Sequence, residues 1–316
     1  MAILDCLIIG GGPAGLNAAV VLGRCRRSVL VFDTEQHRNR WSHGMHNYLT
    51  RDHIPPSEFL QLCKPELEKY GVQIMKRKIV RAVRNDEGLF ETHDDTGACH
   101  LARKLLVATG LRDNVPKLPG FEELYGKSVH HCPYCDGWEW RDKRIAVYAK
   151  SKDGSELCLA LKNTWTDDVT YFTDGNRRIK PSTVEYLEAS GIRIITEPLQ
   201  GLEGKDGLLQ GVRLKNGELI AMDALFFVNG FTQQCNLAEA FGCSVGRKGA
   251  VITNRSQQTN ITGLYVAGDA SRDMHFVVVA AAEGAKAAVN INKELIKEEA
   301  ERKRTKLKDD KGEMAG

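Results

Sequence analysis

Residues 3–15 read Ile3-Leu4-Asp5-Cys6-Leu7-Ile8-Ile9-Gly10-Gly11-Gly12-Pro13-Ala14-Gly15, and this stretch decides the fold. A short apolar run that ends in glycines suits a buried parallel strand. Residues 15–23 follow as an apolar, Ala-rich helix, and residues 28–33 (SVLVFD) form a second strand. The pattern is the opening β-α-β of a doubly wound sheet. Gly10-x-Gly12-x-x-Gly15, with Pro13 and Ala14 inside the turn, stands between strand and helix. The first glycine permits the tight turn, the second lets the backbone approach a pyrophosphate, and the third permits close helix–strand packing. The phosphates then meet a helix N-terminus. Asp33, 18 residues after Gly15, closes the second strand where a carboxylate takes the ribose hydroxyls of an adenosine.

The remaining elements repeat this pattern. Residues 105–110 (LLVATG) read as a strand ending in a glycine turn, and Pro116, Pro119 and Gly120 mark a linker. Residues 144–148 (RIAVY) start a second strand–turn–helix unit, with a helix around 156–163 and strands at 169–173 and 224–229. Residues 264–268 (LYVAG) form one more strand before Gly-Asp and an Ala-rich helix at 277–291. The expected fold class is α/β with two Rossmann-like nucleotide-binding domains. The first is discontinuous, 1–115 with 246–295. The second, 116–245, is inserted in it, and 296–316 is a charged, disordered tail.

Composition narrows the function classes. Lys plus Arg number 44 against 41 Asp plus Glu, a net +3, which is too mild for a nucleic-acid partner. No apolar stretch approaches a membrane span. The N-terminal run lacks a basic flank and a cleavage site, so a cytoplasmic protein is expected. Nine cysteines is an odd number in a long chain, which argues against a structural disulfide framework. Cys6, Cys25, Cys63, Cys99, Cys158, Cys235 and Cys243 are isolated and read as small hydrophobes.

Cys132 and Cys135 are different. They stand in His130-His131-Cys132-Pro133-Tyr134-Cys135-Asp136-Gly137. Residues three apart on a helical turn bring their Cα atoms within disulfide range. A zinc pair would need a second Cys-x-x-Cys, which the chain lacks, so no metal is expected there and a redox pair is favoured over a structural one.

With the late segment 263–270 (GLYVAGDA), the chain resembles the two-domain flavoprotein disulfide reductases. In that family Gly268-Asp269 faces the ribitol of FAD, and Thr109-Gly110 belongs to another turn against the cofactor. The resemblance sharpens to low-molecular-weight thioredoxin reductases through Cys132-x-x-Cys135-Asp136-Gly137 in the central domain. It implies that Cys135 lies against the flavin and makes a thiolate–flavin contact, that Cys132 attacks the substrate disulfide, and that Asp136 is a general acid. It also implies a homodimer. Residues 38–59, which contain His43, His46 and His53, look like a divergent branch that includes oxidases of small dithiols. Packing or a place in the flavin pocket is expected for these histidines rather than metal binding.

The resemblance departs at the second nucleotide site. The family's NADPH loop is glycine-rich, whereas this chain reads Ala149-Lys150-Ser151-Lys152-Asp153-Gly154 and keeps only the third glycine. Asp174, 20 residues after Gly154, suits free ribose hydroxyls and repels a 2′-phosphate. Arg177 and Arg178 follow and are expected in solvent. His275-Phe276 replaces the family's Arg-Gln.

The expected activity is an FAD-dependent disulfide/dithiol oxidoreductase acting on a thioredoxin-like protein or a small disulfide. Its electron donor would be other than ordinary NADPH: ferredoxin, a second flavin such as FAD in the central domain, or NADH. The alternatives are an oxygen-dependent oxidase of small dithiols, an NADPH-thioredoxin reductase with a variant site, and a flavin-binding sensor without turnover, against which the Cys-x-x-Cys-Asp run argues.

Overall fold

A computed structural model describes residues 2–246, 249–271 and 274–313, with only the backbone beyond 307. In chain order the elements begin with β1 (Ile3–Ile9), α1 (Pro13–Arg24), β2 (Val29–Phe32), α2 (Pro56–Lys69), β3 (Gln73–Met75), β4 (Ile79–Arg84), β5 (Phe90–Asp94), β6 (Cys99–Val107) and β7 (Leu111–Asp113). Then come α3 (Phe121–Leu124), β8 (Val129–His130), α4 (Pro133–Asp136), β9 (Ile145–Ala149), α5 (Asp153–Thr164), β10 (Val169–Phe172), α6 (Pro181–Ala189) and β11 (Arg193–Ile195). The rest are β12 (Leu199–Lys205), β13 (Leu208–Leu214), β14 (Leu219–Ala221), β15 (Ala224–Val228), β16 (Phe231–Gln233), α7 (Leu237–Ala240), β17 (Leu264–Val266) and α8 (Val277–Glu313). No described helix is long and apolar enough to cross a membrane.

The chain divides into two units. The first comprises 1–38, 57–112 and 233–316, and the second 39–56 and 113–232. Both carry an α/β sheet, as the sequence predicts. In the first, the order is β3-β2-β1-β6-β5-β4, with β17 also paired to β6. Strands β1, β2, β3, β6 and β17 are parallel, and β4 and β5 add an antiparallel flap. One face packs on α1 and α8 through Leu16, Leu22, Ile291 and Leu295; the other buries Leu7, Phe90 and Leu105. In the second unit the five parallel strands run β11-β10-β9-β15-β8, beside an antiparallel β12-β13-β14 sheet.

The domain limits differ from the expected ones in two places. Segment 39–56, expected in the first domain, belongs to the second unit. The reason is long-range: Trp41 backs onto Gly126, and Asn47 Nδ2 donates to the Tyr134 carbonyl at 2.8 Å. The return to the first unit comes at Gln233, not 246. Gln233 Nε2 donates to the Gly249 and Ala270 carbonyls at 2.7 and 3.0 Å.

The expected disordered tail is also corrected. Helix α8 does not fray near Lys293 but continues through Glu313; residues 314–316 of the expected tail lie outside the described residues. Charge pairing accounts for the first added turns. Arg103, only 10 % exposed, binds Asp5, Glu298 and Glu299, and Lys104, 4 % exposed, binds Glu294 and Glu298. Arg27 joins through Glu299 and Asn292. Two cations nearly out of water require carboxylates, and the helix supplies them.

Those carboxylates link the clamp to pH. Burial alone raises the Glu298 carboxyl, but hydrogen bonds from Lys104 and Arg103 outweigh it and hold it low. Hydrogen bonds from Arg27 and Arg103 lower Glu299. A carboxyl lowered by folding stabilises above its unfolded value, about 4.3, and that contribution is lost as pH falls through the folded value. Replacement of both by glutamine is expected to lower stability at neutral pH by about 1–3 kcal/mol, discounted from a buried pair because the glutamates are half-exposed. It should also flatten the acid limb below pH ~4. Denaturant unfolding across pH is the check; coincident acid limbs in wild type and variant refute the clamp.

Candidate functional site

The first unit holds a cradle shaped for a dinucleotide. Gly10 has φ 116°, and a Cβ there would overlap the Ala108 carbonyl. A Cβ on Gly15 would overlap the Gly10 carbonyl, so this glycine sets how closely α1 approaches β1. Gly12 is the opposite case, with φ −80° and no protein atom within 4 Å of its Cβ position. The space that a side chain would fill there is open, as backbone contact with a phosphate demands. Helix α1 carries no side-chain cap, and Pro13 at its start has no N–H. The free N–H groups of the first turn therefore point to an external acceptor. These residues fit the pyrophosphate of FAD.

Asp33 stands at the end of β2, half-buried beside Gly11. Its Oδ1 accepts the Glu35 N–H at 2.9 Å. Gly11, which the spacing pattern passes over, is the glycine that makes room for this carboxylate, since a Cβ there would overlap it. Thr109 and Gly110 follow β6; Gly110 has φ 69°, and Thr109 Oγ1 contacts Cys235 Sγ at 3.3 Å.

Gly268 and Asp269 follow β17, but two partners that sequence reasoning missed hold them. Glu283, buried inside the Ala-rich helix α8, accepts the Gly268 N–H at 2.9 Å and the Ser271 hydroxyl at 3.3 Å. A lone glutamate in the run Ala280-Ala281-Ala282-Glu283 was the available signal. Arg38 Nη1 lies 2.9 Å from Asp269 Oδ2, with both side chains largely buried. Asp269, expected to serve the ribitol, thus shares its charge with a guanidinium. His275 and Phe276 are half-buried ahead of α8.

In the second unit the dithiol occupies the carboxyl end of edge strand β8. Cys132 is the N-cap of the single turn α4, with Pro133 at the first position, where a missing N–H does no harm. Cys132 and Cys135 form a disulfide with their Cα atoms 5.3 Å apart. The seven other cysteines are free; Cys6, Cys158 and Cys243 are the buried hydrophobes expected, whereas Cys63, Cys99 and Cys235 are half-buried and Cys25 is exposed.

Asp136 lies 3.3 Å, through Oδ1, from His130 Nδ1, and Trp140 Nε1–H donates to His130 Nε2 at 2.9 Å. An indole only donates, so Nε2 must accept and the neutral ring carries its proton on Nδ1, toward Asp136. Burial alone raises the Asp136 carboxyl, but His130 first, then His131 and His46, bring it below the usual carboxylate range. Asp136 is therefore ionised at neutral pH beside the oxidised pair, with the His130 Nδ1–H directed at it. On the other side, Tyr125 donates to Asp113 at 2.8 Å, and its hydroxyl lies 3.2 Å from His131 Nδ1.

The variant loop after β9 is closed from within. Ala149 is fully buried, and Tyr171, pushed up to about 12 by burial, donates to the Ala149 and Ser151 carbonyls at 3.3 and 3.1 Å. Gly154 packs on the Tyr171 hydroxyl and the Ala149 Cβ, the close approach expected of a third glycine. Asp153 opens α5, so a carboxylate stands where phosphate would meet the helix N-terminus. Asp174 has partners of its own. Its Oδ2 binds Lys150 Nζ at 2.7 Å and the Tyr148 hydroxyl at 3.1 Å, and its Oδ1 accepts the Leu199 N–H at 2.8 Å. Burial raises its carboxyl, but these partners hold it below its ordinary value. Asp174 thus shares its charge with Lys150. Arg177 and Arg178 are exposed, as expected.

The two glycines separate cofactor binding from folding. Gly12→Val is expected to purify folded and colourless, because its side chain enters only the open cradle. Gly15→Ala should lower stability by about 1–3 kcal/mol, as overpacking does. Flavin absorbance per chain and thermal unfolding are the readouts; a fully yellow Gly12→Val protein removes this cradle from consideration.

Comparison with known proteins agrees with this geometry. The family model for pyridine nucleotide-disulphide oxidoreductases matches residues 4–284. The thioredoxin reductase tcpT of Claviceps purpurea is 33 % identical over 277 residues, covering 84 % of this chain and 86 % of the relative. Among solved structures, HlmI superposes with a TM-score of 0.92 at 32 % identity over 96 % of each chain. An oxidoreductase from Agrobacterium tumefaciens gives 0.86 at 30 % identity over 93 % of this chain and 99 % of its own. The chain belongs to the pyridine nucleotide-disulphide oxidoreductase family and is a thioredoxin reductase-like, flavin-dependent disulfide oxidoreductase.

Proposed function

We propose that this chain passes two electrons between FAD and the Cys132–Cys135 pair, exchanges them with a thioredoxin-like protein or a small disulfide or dithiol, and takes none from NADPH. The closed loop between β9 and α5 carries the reading. Two side chains replace the glycines that bare a backbone for pyrophosphate, and Asp153 opposes a phosphate at the helix start. The donor this reading favours is a redox protein such as ferredoxin, whose docking needs no pyrophosphate at this loop. A homodimer is part of the same reading.

When bound, FAD supplies the two-electron carrier. Gly12 and the first turn of α1 would hold its phosphates, Asp33 its adenosine ribose, and the Thr109-Gly110 and Gly268-Asp269 turns would line its remainder. At the dithiol, exchange runs through a mixed disulfide: one S–S bond breaks as another forms, and one sulfur leaves as a thiolate. In this reading Cys132 would be the attacking sulfur and Cys135 the one that exchanges electrons with the flavin. The Trp140 donor leaves the His130 proton on Nδ1, directed at Asp136, the neighbour of Cys135 in the chain.

A second reading follows from the same closed loop. Without a nicotinamide donor, the substrate dithiol becomes the source of electrons and an oxidant such as oxygen their sink. The chain is then an oxidase of small dithiols.

Anaerobic mixing tests the donor. Dithiothreitol is expected to bleach the flavin, and NADPH to do so very slowly or not at all. An exposed like-charge contact at ~4 Å costs about 1 kcal/mol in water and more when shielded, and the side chains in the loop add to it. Rapid bleaching by micromolar NADPH overturns the reading. Reoxidation then separates the two directions, by oxidised thioredoxin in one case and by oxygen in the other.

The sulfur roles have their own check. Cys132→Ser is expected to keep a long-wavelength thiolate–flavin band and Cys135→Ser to lose it, with flavin bound in both. The reverse pattern exchanges the two assignments.

A further inference from the structure

Segment 45–54 folds as a small closed loop in the second unit. Met45 and Ile54 bridge antiparallel, with Met45 N–H donating to the Ile54 carbonyl and His53 N–H to the Met45 carbonyl, both at 2.8 Å. His53 holds φ 65°, a conformation uncommon for a residue with a side chain. The loop sets the His46 and His53 rings 5.2 Å apart between centroids. Glu139, just after the Cys-x-x-Cys turn, brings its Oε1 to 3.6 Å from His46 Nε2. One ligand atom from each of His46, His53 and Glu139 lies within 4.8 Å of the other two.

We propose that His46, His53 and Glu139 form a binding site for a divalent transition cation of the zinc class, beside the dithiol and independent of the disulfide chemistry proposed above. Three observations carry it. The donor set is two imidazoles and a carboxylate, the combination that holds zinc with an open fourth position. The spacing is close to what the ion needs: at bond lengths of about 2.0–2.2 Å, tetrahedral ligand atoms sit roughly 3.3–3.5 Å apart. The His46–Glu139 distance of 3.6 Å requires only a small side-chain adjustment. The third observation is the outer partner. Asp52 Oδ1 lies 3.7 Å from His46 Nδ1 and is itself fixed by the Asn47 N–H at 2.9 Å. A carboxylate facing the far nitrogen is the usual orienting partner of a metal-bound histidine, and Asp52 lies a small rotation outside hydrogen-bond range of Nδ1. His53 and Glu139 are exposed, so an ion can enter from solvent and keep a solvent ligand. The site touches the redox turn through the Asn47 contact with the Tyr134 carbonyl.

A second grouping, Glu91, His93 and Cys99 in the first unit, serves as an internal control. There His93 Nε2 and Glu91 Oε1 already share a direct hydrogen bond at 2.8 Å.

The test uses the oxidised, flavin-loaded full chain after treatment with a chelator. Cobalt(II) titration is followed by the visible difference spectrum, and zinc titration by calorimetry. One ion per chain is expected. Uptake should persist in His93→Gln and in the Cys132→Ser/Cys135→Ser double variant. It should be lost in His46→Gln and His53→Asn, the latter chosen because asparagine tolerates the left-handed backbone. Asp52→Asn should weaken binding by about 10–100-fold. Circular dichroism and flavin content confirm that each variant folds, and the exposed Glu139→Gln gives the same loss without touching the loop. Absence of saturable uptake by the wild type, or uptake undiminished in both histidine variants, overturns the proposal.

Discussion

Backbone-to-backbone approach at the start of α1 is the constraint on which the first unit depends. The Gly10 and Gly15 backbones lie so close that no Cβ fits at Gly15, and Gly10 is pressed equally closely on Ala108. That contact seats the helix on the β1–β6 pair and aims its uncapped first turn at the cradle. Gly284 in α8 repeats the device, since a Cβ there would overlap the Ala14 carbonyl. Two helices thereby press on the same turn, and the fold and the phosphate site rest on one contact. Packing closer than side chains allow leaves little room to adjust, so such sites lose stability first when a methyl group is added.

Charge placement does the comparable work further out. Arg103 and Lys104 sit on the buried strand β6, and α8 answers them with Glu294, Glu298 and Glu299. Pairs of this kind add little where water reaches them, but a nearly buried cation without a carboxylate is strongly destabilising. The helix is therefore held where its apolar stripe has already ended. Inside the cradle, Glu283 and Arg38 play the same part at smaller scale. One fixes the Gly268 amide and the other shares the Asp269 charge, so the turn is set by residues far from it in sequence.

The redox turn is surrounded by imidazoles. His130 and His131 precede it, and His46 reaches it from segment 39–56; all three act on Asp136 in the same direction. The indole of Trp140, which can only donate, fixes the His130 ring so that Nδ1 faces Asp136. The adjoining dinucleotide-type loop is settled differently. Tyr148, Lys150 and the Leu199 N–H bind Asp174, and Tyr171 donates to two loop carbonyls, so this end of the strand is tied together by its own side chains.

What the sequence by itself determined is what short-range rules control. The β1–α1–β2 order, the glycine spacing, the disulfide between residues three apart and the later α/β repeat all depend on local periodicity, turn chemistry and chain geometry, and they stand in the structure nearly residue for residue. Tertiary structure alone decided which distant side chains meet. Segment 39–56 joined the second unit because Asn47 and Trp41 found partners there. Asp174 came to share its charge because Lys150 and the Leu199 N–H reach it. Helix α8 outran its apolar pattern because two buried cations on β6 required its glutamates. Each of these outcomes is a choice of partner across tens or hundreds of residues, made by burial and charge, and a polar residue read by itself does not show which neighbour will desolvate or neutralise it.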